Sequence, residues 1–427
     1  MTKEFNISDT GKSGVVETNP VPVAKANTIE SPIIEVKLSD EKKKLKFKNF
    51  IFPIVALLCL VGIGGFYYFG IYKVKPQPLN KVLSFGQDFI QSGALSKIFK
   101  GELTLLSAPQ EPKTEVSPLN GMLFTKSQMD IMKTRRPVAV MTNNHSEARP
   151  LSGLNSADVV IEANAEAGIT RLMPIYWSTV PEKVGPVRSL RQYYLEWASE
   201  YDPLLIRDGC ASSDDPRTNA CGNVYSYGTK DIATIGAWRW NDGRRVAPHN
   251  EYNSLTYAWE YAAKMDWDSF PKNLESWKFK TDAEISKRGE KTRVELTFHT
   301  RLINSGLYNV IWTYDQATNT YLRKVGGQAD IDQETNTQVY TKNIVVQEVT
   351  MVQSGDDKGH LIITTIGQGK STYLIDGKII YGTWKKTSRT DRTTYYDSEG
   401  KELEFNRGRI WVEMIGTSDG KFAIIEQ

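Results

Sequence analysis

In "EKVGPVRSLRQYYLEWASEYD" (182–202), Arg188 and Arg191 follow a Gly-Pro pair and lead into an aromatic-rich stretch. Guanidinium groups present fixed forks of N–H donors that match carboxylates and phosphates. Leu190, Tyr193, Tyr194, Trp197, Ala198 and Tyr201 recur at helical spacing, which predicts a helix over 189–201 with Ser189 and Gln192 as its capping box. A helix N-terminus adds unpaired N–H groups and a partial positive charge, so both arginines are placed to hold a carboxylate or phosphate. An internal ion-pair network is the competing arrangement. "EANAEAGITR" supplies Glu162, Glu166 and Arg171, and strand alternation puts Glu162, Asn164 and Glu166 on one face. If that face meets Arg188 and Arg191, the arginines serve the fold.

His145 in "NNHSEARP" and His249 in "RRVAPHNEY" are the other residues with chemistry to offer. Polar-loop histidines shuttle protons or ligate metals, with Glu162 or Glu166 as the accompanying base or ligand. Their spacing is no metal motif of the H-E-x-x-H kind, turn-stabilising roles explain them more simply, and no metal or cofactor is expected. Neither a G-x-S-x-G elbow nor a P-loop occurs. Glu162 and Glu166 would serve as a glycosidase pair only at a suitable separation.

The elements that must position these residues begin with a membrane anchor. Residues 49–72 carry no charge, follow the lysine block "KKKLKFK" and end in Phe66, Tyr67, Tyr68 and Tyr72, so they read as one transmembrane helix. The positive-inside rule places residues 1–48, a polar tail without period, in the cytoplasm and the rest outside. Residues 73–120 form a juxtamembrane segment and a Pro-containing linker. The folded body is expected from Gly121 as an α+β protein: a mixed α/β subdomain at 121–270, then a strand-rich, mostly antiparallel subdomain at 271–427. A second helix fits 253–265, capped by Asn253 or Ser254. The 427 residues carry 53 Lys+Arg against 50 Asp+Glu, a balance that argues against a nucleic-acid partner. Cys210 and Cys221 lie on the oxidising side, where a loop-stapling disulfide is one reading and two free thiols the other. Cys59 sits within the span.

The motif order "RPVAVMTNNHSEARPLSGLNSADVVIEANAEAGITRLMPIYWS", "EKVGPVRSLRQYY", "RVAPHNEY" and, later, "YLRKVGG", "DGKIIYGTWKK" and "FNRGRIWVEMIG" resembles the YerB-like family of bacterial surface lipoproteins. The resemblance covers roughly residues 120–420. It implies a two-domain, envelope-anchored α+β protein with no established activity, here held by a membrane helix and not a lipid. The function expected is non-enzymatic: a single-pass cell-membrane protein whose extracytoplasmic part binds an anionic cell-wall polymer or peptide, or an envelope-synthesis protein, through His145, Glu162, Glu166, Arg171, Arg188, Arg191 and His249. The alternatives are a cell-wall hydrolase or transferase using Glu162 or Glu166 with His145 or His249, and a scaffold whose C-terminal half holds another membrane protein.

Overall fold

The computed structural model describes residues 111–290, 292–300 and 305–426. The tail at 1–48, the membrane helix at 49–72 and the juxtamembrane stretch to residue 110 lie outside the described residues. Among the described residues no helix is long and apolar enough to cross a membrane.

The strands used below are β1 (Lys113–Val116), β2 (Leu123–Thr125), β3 (Val138–Val140), β4 (Thr142–Asn143), β5 (Val159–Glu166), β6 (Ile169–Tyr176), β7 (Leu204–Ile206) and β8 (Lys230–Ala233). In the second half they are β9 (Thr292–Thr297), β10 (Val310–Asp315), β11 (Thr320–Val325), β12 (Asn343–Val349), β13 (Gly367–Ile375), β14 (Lys378–Lys386), β15 (Thr394–Asp397), β16 (Ile410–Gly416) and β17 (Lys421–Glu426). The helices are α1 (Lys126–Met132), α2 (Gln192–Ala198), α3 (Ala220–Ser226) and α4 (Leu255–Lys264).

An 11-stranded sheet runs β15-β14-β13-β12-β16-β5-β6-β3-β7-β8, with β4 also on β6. The fold is strand-rich and mostly antiparallel, with parallel pairing at β12–β16–β5 and β3–β7–β8. β16 from the second half lies between β12 and β5, so the two halves expected as packed subdomains share one hydrogen-bonded sheet. A second, antiparallel sheet runs β11-β10-β9-β17 and covers one face of the first.

β5 and β6 are apolar on both faces because both are covered. Ile161, Ala163, Met173 and Ile175 pack under α2, against Tyr193, Tyr194, Leu195 and Trp197. Val160, Leu172 and Tyr176 share the opposite core with Trp312, Trp411 and the α4 stripe Leu255, Ala258 and Ala262. The β5–β6 turn uses Ala167 and Gly168, both at positive φ, the hand that matches strand twist in a tight hairpin.

Two expectations need correction. The linker ends earlier than Gly121, because β1 and β2 pair as a hairpin closed by Gly121 N–H on the Ser117 carbonyl at 2.9 Å. The helix at 189–201 is shorter at both ends, and its cap is Arg191 with no side-chain capping bond, so the Ser189/Gln192 box does not form. Leu190 N–H is instead held by Gly209 O at 3.0 Å, in a parallel bridge to Cys210, which keeps 188–190 extended. α4 keeps the expected start, with Ser254 Oγ accepting from Tyr257 N–H.

Candidate functional site

Glu162 and Glu166 do not share a face. Glu162 points to the second sheet and is fully buried, while a register shift between Asn164 and Glu166 turns Glu166 to the α2 side. One inserted residue is enough, because strand side chains alternate with period two.

On the buried side, Glu162 Oε1 accepts from Thr170 Oγ1 at 2.7 Å and Asn144 Nδ2 at 3.2 Å. Its Oε2 accepts from Arg323 Nη2 at 2.6 Å, and Arg323 Nη1 reaches Asp330. Glu413 on β16 sits in register with Glu162 and accepts from Trp312 Nε1 at 2.7 Å. Burial, then repulsion from Glu162, push the Glu413 carboxyl well above its ordinary range. Asn144, Glu162, Thr170, Arg323 and Asp330 form an inter-sheet network closed to any ligand.

On the α2 side Glu166 is the hub. Arg191 Nε and Nη2 grip it at 3.1 and 2.8 Å, and Arg171 Nη2 donates to the same carboxylate. Tyr194 Oη donates to Arg171 O at 2.6 Å and accepts from Ala163 N–H at 3.0 Å, while Tyr193 Oη donates to Asn164 O at 2.9 Å. The aromatic stripe of α2 thereby fixes the hairpin that carries Glu166 and Arg171. Burial is the main reason Arg171 falls to about 10, and the positive charges of Arg191 and Arg188 add to it. The internal-network reading therefore holds for Arg171 and Arg191.

Arg188 is different. Its backbone is pinned between β3 and β7 by Arg188 N–H on Met141 O at 2.8 Å and Asp208 N–H on Arg188 O at 3.1 Å. Its half-buried guanidinium has no hydrogen-bond or ion-pair partner among the described residues. Arg171 and Arg191 thus share one carboxylate, Glu166, and Arg188 beside them has none among the described residues. Arg188 also lies at the C-terminal ends of the parallel strands β3 and β7, the end of a parallel sheet where ligands collect. A recess of about 460 Å³ bounded by Arg136, Tyr201 and Phe270 is lined by none of these residues.

His145 and His249 are brought together beside Arg188, with rings stacked at 4.5 Å. The carboxylate that joins them is Glu147, not Glu162 or Glu166. Glu147 Oε2 lies 3.4 Å from His249 Nε2 and 3.9 Å from His145 Nδ1. Asn143 joins both histidine segments: its Oδ1 accepts from His145 N–H at 2.9 Å, and its Nδ2 faces His249 Nδ1 at 3.0 Å. Because Oδ1 is committed to a backbone donor, Nδ2 must donate, and the neutral His249 ring carries its proton on Nε2. Burial, then the neighbouring His145, hold His249 below the usual imidazole range. Behind it, Glu251 and Asp208 share Arg239 at 2.7 and 3.5 Å, and burial with the Asp208 charge raises Glu251.

Cys210 and Cys221 are bonded, with Cα atoms 5.2 Å apart, and tie the loop after β7 to α3. Sequence reading missed Asn143, Glu147, Asp208, Glu251 and Arg323. Asn143 and Glu147, each two residues from His145, and Glu251, two beyond His249, carried a local signal; Asp208 and Arg323 did not.

Residues 124–268 match the model described as "Protein of unknown function (DUF3048) N-terminal domain", and residues 300–412 match the corresponding C-terminal domain. The chain is 29% identical over 313 residues to "Putative lipoprotein YerB" of Bacillus subtilis (strain 168), covering 73% of this chain and 90% of that protein. A crystal structure of the YerB protein from Bacillus subtilis superimposes with a TM-score of 0.62 at 28% identity, covering 73% of this chain and 100% of that one. With both domain models in order around one shared sheet, the chain belongs to the YerB-like family.

Proposed function

We propose that this is a membrane-anchored extracytoplasmic protein of the cell envelope that binds an anionic group of a cell-wall polymer or peptide at Arg188. The carrying observation is the half-buried Arg188 guanidinium, which has no partner among the described residues and stands beside two further arginines that share a single carboxylate. Charge in that position gains from an incoming anion without giving up an existing pair. Placement outside the membrane is supported by the lysine block before residues 49–72 and by the lipoprotein name of the Bacillus relative. The hydrolase alternative loses one of its named acids, because Glu162 is sealed between the sheets.

The test is capture of purified cell-wall fragments by the full-length protein in detergent, with bound and free fragments followed by mass spectrometry. Arg188→Ala should lose capture while keeping the wild-type thermal midpoint, and captured fragments should leave unaltered. Capture undiminished in Arg188→Ala would overturn the assignment, and shortened fragments would make the protein an enzyme.

A further inference from the structure

We propose that His145, Glu147 and His249 form a labile site for one divalent transition-metal ion of the zinc and cobalt class, with its affinity set by Asn143. This site is separate from anion capture, because Arg188 is not a ligand.

Two imidazoles and a carboxylate form a donor set that such ions favour, and three protein ligands leave positions open for solvent. One ligand atom from each residue falls within 4.8 Å of the other two. His249 Nε2 and Glu147 Oε2, at 3.4 Å, are already at the edge length of a tetrahedron with metal bonds of about 2.0–2.1 Å. His145 Nδ1, 3.9 Å from the same Glu147 oxygen, must close in by roughly 0.5 Å, release the Glu147 N–H that it accepts at 3.3 Å and turn its ring out of the stack on His249. Its partly exposed loop position permits this. No Lys or Arg pairs with Glu147 among the described residues, so its carboxylate gives up no cationic partner to a metal.

Asn143 makes the site labile. Metal-binding histidines normally donate their second ring N–H to an acceptor, which leaves the other nitrogen's lone pair for the ion. Here Asn143 Nδ2 donates to His249 Nδ1 and places the proton on Nε2, the atom that faces Glu147. A metal must displace that proton and break the amide contact. Asp at position 143 would accept from both His145 N–H and His249 Nδ1–H, giving the carboxylate–histidine–metal arrangement in full. This reverses the usual expectation for a supporting residue.

The experiment titrates full-length protein in detergent with Co²⁺, read by its visible d–d bands, followed by Zn²⁺ competition. One Co²⁺ per chain is expected, displaced by Zn²⁺, with affinity falling at least about tenfold in Glu147→Gln and in His145→Ala, and rising about 10–100-fold in Asn143→Asp. Glu147 and His145 have partly or largely exposed side chains, so these two variants carry the test if His249→Ala does not fold. A Co²⁺ spectrum that stays that of the aqueous ion with wild type, unchanged Zn²⁺ affinity in Glu147→Gln and His145→Ala, or weaker binding in Asn143→Asp would each overturn the proposal. Loss of fragment capture by Arg188→Ala with Co²⁺ binding intact would separate this site from the anion site.

Discussion

Arg323→Ala probes the tie between the two sheets most directly. The Arg323 side chain is fully enclosed; it donates to Glu162 at 2.6 Å and to Asp330, and its guanidinium lies 4.9 Å from the Trp411 ring. Removing the cation leaves two buried carboxylates facing Glu413 without compensation. Breaking a buried pair from one side costs about 3–5 kcal/mol, a large share of the roughly 5–15 kcal/mol that holds a domain folded. With a urea dependence of about 1–3 kcal/mol per molar, the midpoint, read by tryptophan fluorescence, should fall by at least roughly 1 M. Adding Glu162→Gln and Asp330→Asn to Arg323→Met removes the stranded charges and should recover much of the loss. A loss below about 1 kcal/mol in Arg323→Ala would refute the reasoning, since only a hydrated or mobile guanidinium is that cheap to remove.

Glu413→Gln tests the raised carboxyl: a folded pKa above the unfolded value near 4.5 gives stability that is complete below that pH and is lost as pH rises through the folded value. Wild type should therefore decline relative to the Gln variant above pH 4.5, at up to about 1.4 kcal/mol per pH unit, and parallel urea-denaturation curves across pH would contradict this. Replacing Cys210 and Cys221 together by Ser should cost about 2–3 kcal/mol, with a thermal midpoint insensitive to reductant; an unchanged midpoint would show that the bond contributes nothing. Glu166→Gln should lower stability by about 1–2 kcal/mol, because Arg171 and Arg191 lose their shared anion, yet it should strengthen fragment capture by leaving more positive charge around Arg188. Weaker capture in that variant would mean that the hub itself contacts the ligand.

What could be read in advance followed from local periodicity. The α2 stripe from Leu190 to Tyr201 is buried throughout, and Leu255, Ala258 and Ala262 face the core from α4. The failures came from long-range or single-residue events. The shift after Asn164 splits Glu162 from Glu166, and no composition rule reports one inserted residue. Arg323 reaches Glu162 from 161 positions away, on a sheet whose docking is set by tertiary packing. His249 meets His145 because Val187 N–H bonds Glu251 O and Asn143 N–H bonds Pro186 O, so segment 184–188 pairs on both sides. The delayed start of α2 had the same origin, since Leu190 was already engaged by Gly209.

The two carboxylates of β5 divide the work. Glu162 faces a layer where Arg323 is matched against Glu162 and Asp330 away from water, with the Glu413 carboxyl beside them unpaired by any cation among the described residues, so any change there appears first as lost stability. Glu166 faces the side where two guanidiniums, Arg171 and Arg191, converge on one carboxylate at the partly exposed end of the sheet, with Arg188 unpaired beside them. Positive charge there stays incompletely compensated without undoing the fold, because Arg171 and Arg191 are anchored and solvent screens the remainder. Arg188 is where that excess is free to act. Its backbone is fixed between β3 and β7, so its position costs little further ordering when an anion arrives. On the anion-binding proposal, binding and folding rest on different arginines, so substitutions at Arg188 and at Arg323 should separate the two properties cleanly.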